Sequence, residues 1–84
     1  MIILQCIDKF SIINTEKYKL YISLLKNEYS YSIVGILKED NDIIEYCETI
    51  DMADYSDMLK IYNIFKDNIV FPSHFYNVMD DILK

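Results

Sequence analysis

Few residues in this chain are of types that do chemistry, and their spacing limits what they can do. His74 is the only histidine and directly follows Ser73. A serine becomes a nucleophile only with a base in hydrogen-bond reach, and adjacent residues on a helix point apart. The pair therefore reads as the start of a helix, and no catalytic residue is expected. Cys6 and Cys47 are the only thiols and form no CxxC pair. With one histidine they do not supply the three or four converging ligands of a zinc site. Asp40, Asn41 and Asp42 followed by Glu45 have the composition of a calcium loop. They lack its central glycine and its ligand spacing, so a hairpin turn is the expectation. No glycine-rich loop is present to cradle a phosphate. The residues thus point to no metal and no cofactor.

What remains is charge and tyrosine. Fourteen acidic residues against eight lysines, with no arginine, give a net charge of −6. That balance argues against direct binding of nucleic acid, where lysine and arginine neutralise phosphates, and against an anionic membrane surface. Glu39, Asp40 and Asp42 form one acidic cluster, and Glu45, Glu48, Asp51, Asp54 and Asp57 a second. The expectation is an exposed acidic edge that docks on a protein partner, with a basic nucleic-acid-binding protein as the natural case. Eight tyrosines supply a second candidate surface, because tyrosine buries a large area and keeps a polar tip. Tyr21 and Tyr46 alternate away from core-facing neighbours and fall on the open side of a sheet. Homodimerisation is left open.

The elements that must position these residues are legible from periodicity. Residues 2–7 form a short apolar run that reads as a strand, continuing through Phe10–Ile13 after a kink at Asp8 and Lys9. Tyr18, Leu20, Ile22 and Leu24 alternate with Lys19, Tyr21 and Ser23, the pattern of a half-buried strand. After a turn at Lys26–Glu28, residues 29–37 alternate again, with Tyr29, Tyr31, Ile33 and Leu37 on the core side. Tyr18, Tyr29 and Tyr31 are expected to share the core with the helices. Gly35 takes a place on that side, which implies a bulge or close packing. Residues 43–50 form a further strand. The period then changes. Asp51 or Asp54 caps a helix whose apolar side is Met58, Ile61, Tyr62 and Phe65, ending near Asn68. Pro72 closes the connector, and Ser73 is the expected N-cap of a last helix carrying Phe75, Val78, Met79, Ile82 and Leu83.

Strands first and helices last predict a single α+β domain over residues 1–84. Its expected form is an antiparallel meander of three or four strands with two C-terminal helices on one face. An apolar content of 52% suffices for a core. Two unpaired thiols and no basic segment before an apolar run predict a cytoplasmic protein with both thiols reduced. A pocket of ordinary size, about 300 Å3, would remove much of the core of so small a domain, which disfavours a small-molecule-binding or enzymatic domain relative to a non-enzymatic binding module.

Two segments carry a resemblance. Tyr29-Ser30-Tyr31-Ser32-Ile33 and the stretch from Phe71-Pro72-Ser73-His74-Phe75 through Asp80-Asp81-Ile82-Leu83 resemble a family of small proteins of unknown function from spore-forming, low-GC Gram-positive bacteria. The resemblance implies a cytoplasmic protein without known activity and supplies no catalytic residue. In type alone, a short, acidic, tyrosine-rich chain of strands and helices is similar to phage-encoded inhibitors of host defence, including anti-CRISPR proteins. The function expected from all this is that of a small regulator or inhibitor that occupies a partner's surface.

Overall fold

The computed structural model describes residues 5–83. Four strands, β1 (Gln5–Asn14), β2 (Tyr18–Lys26), β3 (Tyr31–Glu39) and β4 (Asp42–Glu48), form one antiparallel sheet in the order β1-β2-β3-β4. Helix α1 (Tyr55–Asp67), a 3₁₀ turn (Pro72–His74) and helix α2 (Phe75–Ile82) follow. The fold is therefore the expected meander with two C-terminal helices. Residues 2–4 of the first expected strand lie outside the described residues. β1 runs through Asp8 and Lys9 in regular register, without the expected kink; the register shifts lie between Cys6 and Asp8, just before them, and between Ser11 and Ile13.

Each turn has a local cause. Thr15 Oγ1 accepts from the Tyr18 N–H at 2.9 Å and closes the β1–β2 turn. Asp40 and Asn41 both hold positive φ, 51° and 74°, as a two-residue hairpin turn of the primed kind requires. These two residue types tolerate that region through their short polar side chains. Asn27 donates to the Ser30 hydroxyl and to the Asp51 carboxylate, which ties the β2–β3 turn to the segment after β4. That four-residue turn delays β3 until Tyr31. Tyr29 consequently sits on the turn, 82% exposed, rather than in the core. Tyr18 is also exposed, as the first residue of β2. Of the three expected core tyrosines, only Tyr31 packs against the core, where it also stacks on Tyr55 at 5.1 Å.

The core lies between one face of the sheet and the helices. Leu20, Ile22 and Leu24 of β2 are fully buried, with Ile33 of β3 and Met58, Ile61 and Phe65 of α1. Asp54 caps α1, its carboxylate accepting from the Asp57 N–H at 3.1 Å. Tyr62 is buried too and donates its hydroxyl to Asp8 at 2.8 Å, pinning α1 to β1. Gly35 faces Phe75: a Cβ there would collide with the Phe75 ring and approach Pro72 Cγ to 3.2 Å. The glycine thus lets the distal edge of the ring come close to the sheet, while the ring stacks on Phe65 at 4.3 Å. Ser73 does not cap the last helix. Its N–H donates to the Glu45 carboxylate at 3.1 Å, so the acid on β4 closes the 3₁₀ turn instead. The 3₁₀ turn opens on Pro72, which has no N–H of its own to satisfy, so a capping serine is not required.

The principal extents are 37 × 33 × 16 Å. The smallest of these accommodates two layers about 10 Å apart, a sheet and its helices. All the helices pack on one side, and the other face of the sheet carries no covering element among the described residues.

Candidate functional site

The uncovered face is set by register. Cross-strand partners share a face, and alternate residues along each strand return to it. Ser11, Tyr21, Ile36 and Tyr46 form one row across all four strands. On one side of it lies the row Lys9, Ser23, Val34 and Glu48; on the other lies Lys19, Lys38 and Ile43. Tyr46 is 58% exposed, and Ile43 and Ile44 beside it on β4 are exposed as well. Between Leu37 and Lys38 the register shifts, which places Ile43 and Ile44 together opposite a single step of β3. A shallow hollow of about 320 Å3 opens in this face, lined by Lys9, Tyr21, Ser23, Val34, Ile36 and Lys38. The Lys9 ammonium lies 5.8 Å from the centre of the Tyr21 ring, within cation–π range.

The charges of the chain are sorted by this geometry. Three lysines, Lys9, Lys19 and Lys38, stand on the open face, and Glu48 is the acidic residue that shares it. The other acids of the expected edge lie elsewhere, several with local duties. Glu39 pairs with Lys17 at 3.6 Å and accepts from the Tyr18 hydroxyl. Asp40 and Asp42 belong to the β3–β4 hairpin tip. Glu45 holds the 3₁₀ turn, Asp51 holds Asn27, and Asp54 caps α1 with Asp57 in its first turn. Tyr21 and Tyr46 are thus brought together in one row. The eight acids are spread over the hairpin tip, the helix side of β4, the open face, the segment after β4 and the start of α1.

Sequence reasoning missed the lysines. The signal was present in parity, because Lys19 shares its side of β2 with Tyr21. Its neighbour Lys38 stands nineteen residues further on and joins it only through the β2–β3 register.

The other candidate groups are modest. Neither the His74 ring nor the Ser73 hydroxyl hydrogen-bonds to another described residue, and both residues are exposed. Cys6 is exposed and Cys47 half-buried, both as free thiols. Burial, and secondarily the Glu48 carboxylate, pushes the Cys47 thiol above its ordinary value of 9.0. Burial and the hydrogen bond to Asp8 raise the Tyr62 phenol as well. Among the described residues no three histidine, cysteine or carboxylate side chains gather as a metal site, and no helix is long and apolar enough to cross a membrane. A second hollow of about 320 Å3 lies on the helix side at the rim of the core, lined by Ile13, Thr15, Tyr18, Leu37 and Phe71. This hollow is open to solvent and lies beside the core, not within it.

In comparisons with known proteins, no family model, no curated protein and no solved structure matches this chain.

Proposed function

We propose that this chain is a non-enzymatic protein-binding module, a small regulator or inhibitor that acts by occupying a partner's surface with the open face of its sheet. The observation that carries this reading is the row Tyr21, Ile36 and Tyr46, uncovered and extended by Ile43 and Ile44 at the β4 edge. Aromatic residues within a continuous apolar strip are what the centres of protein interfaces are made of. An antiparallel sheet with one wet face ordinarily carries polar residues there, so a row of large side chains calls for a partner.

The test is affinity capture from the native host with wild-type bait and with Tyr46→Ala. The substitution sits on an exposed side chain, so the fold survives. A protein held by wild type and lost from the variant supports the reading, the loss amounting to about 2 kcal/mol or more if Tyr46 anchors the contact. Equal capture by both baits contradicts it. The competing reading is a small-molecule site at the apolar hollow of Ile13, Tyr18, Leu37 and Phe71. A large thermal stabilisation by a single metabolite, removed by Tyr18→Asp but not by Tyr46→Ala, would favour that alternative.

A further inference from the structure

Lys19 and Lys38 are direct cross-strand partners on the open face. The Cβ atoms of residues so placed stand about 5 Å apart, and like charges in that position destabilise a sheet. Neither ammonium has an ion-pair partner among the described residues, whereas Lys17 pairs with Glu39. Lys9 adds a third cation two rows away, on the far side of Tyr21. The acid on this face, Glu48, lies at the opposite end of Lys9's row. A chain of net charge −6 has therefore placed three of its eight lysines around one apolar row and left two of them to repel each other.

We propose that the open face receives an acidic protein segment bearing aromatic or apolar side chains. Its carboxylates bridge Lys19 and Lys38, and an adjacent ring lies on the row Tyr21, Ile36 and Tyr46. This rests on the binding-module reading and reverses the partner charge that the composition implies: the fitting partner is acidic at the contact, not basic. Bridging the two ammoniums turns a repulsion that costs the free protein stability into an attraction in the complex. Charge placement also selects protein over single-stranded nucleic acid. A nucleic acid strand carries a charge every few ångströms and would run off the lysine patch onto acidic surroundings, including the hairpin tip at Glu39, Asp40 and Asp42. A protein segment places its charge only where the lysines are. An isologous dimer through the same face offers one glutamate against three lysines from each copy, so a second copy is a poorer occupant.

The probe is a random copolymer of glutamate and tyrosine, titrated into isotopically labelled protein and followed by amide and tyrosine resonances. Polyglutamate and oligo-dT serve as comparisons. Shifts centred on Lys19, Tyr21, Ile36, Lys38 and Tyr46 are expected. Affinity should fall steeply from about 50 mM to about 300 mM salt. It should drop roughly tenfold in the double variant Lys19→Glu/Lys38→Glu, and the exposed helix variant Lys60→Glu should leave it unchanged. The single variant Lys38→Glu, which replaces the repelling pair with an attracting one, should raise the melting temperature and still weaken the copolymer. That holds the proposal open to refutation even where the double variant folds poorly. Binding that survives both reversals, absence of binding, or tighter binding of oligo-dT overturns it. The two levels of the reading fail separately. A captured host partner lost from Tyr46→Ala but retained by Lys38→Glu rejects the acidic segment and leaves the open face as the interface. A partner retained by both variants rejects the face itself.

Discussion

Ile69 holds φ of 51°, a left-handed conformation that a β-branched side chain resists. Its place explains why the backbone goes there. The Val70 N–H donates to the Phe65 carbonyl at 3.0 Å across the end of α1, the closing bond of a Schellman motif, whose turning residue is ordinarily glycine. The Ile69 side chain is half exposed and so recovers little by burial. Replacing Ile69 by glycine should therefore stabilise the protein by about 1 kcal/mol in denaturant unfolding; a loss of stability would show that the exposed side chain holds a contact worth more than the strain. The thiols give a second residue-scale expectation. The thiolate is the reactive form, so a thiol whose pKa is raised reacts slowly at neutral pH. Peptide mapping after brief alkylation should find exposed Cys6 modified well before Cys47. Because the folded state holds the Cys47 proton more tightly, that contribution to stability is complete below the ordinary value of 9.0 and is lost as pH rises past it. Faster alkylation of Cys47 at neutral pH would contradict the burial argument.

At the scale of elements, Gly35 decides how closely the helical layer approaches the sheet. A methyl group there must displace the Phe75 ring, which is held in place by stacking on Phe65. Gly35→Ala should cost about 3 kcal/mol by overpacking, and the added substitution Phe75→Leu should recover part of it. Equal stability of Gly35→Ala and wild type would mean that the layer slides freely. Much of this architecture was legible. The change from period two to period 3.6 after Asp51 located the switch from strands to helices, and the core residues of β2 and α1 follow from those periods. The course of the chain at Tyr29 was not legible. Alternation ran unbroken through residues 29–37, but the turn closed by Asn27 and Ser30 consumes Tyr29, and only hydrogen bonding decides where a turn stops and a strand begins. The link between Tyr62 and Asp8 was equally invisible, since it spans 54 residues and depends on how α1 crosses the sheet. For the candidate site, Tyr21 and Tyr46 were placed on the open side by parity alone. The neighbouring lysines required the register of two hairpins, which no single strand contains.

For the whole molecule, the defining property is asymmetry. One face of the sheet is sealed by helices, with Phe75, Phe65 and Met58 filling the space between. The other presents tyrosine, isoleucine and lysine to whatever approaches. Composition alone presented the chain as acidic. Folding gathers lysine around the apolar row and commits several carboxylates to turns and caps, so net charge is a poor guide to the local field. The tyrosines, distributed over the faces, report directly on which one is covered. Hydroxyl-radical footprinting of the protein with and without its captured partner reads them individually. The account predicts strong protection of Tyr46 and Tyr21 in the complex, with Tyr29 on the β2–β3 turn and Tyr76 on α2 oxidised as in the free protein. Protection of Tyr29 or Tyr76 while Tyr46 stays fully reactive would contradict it.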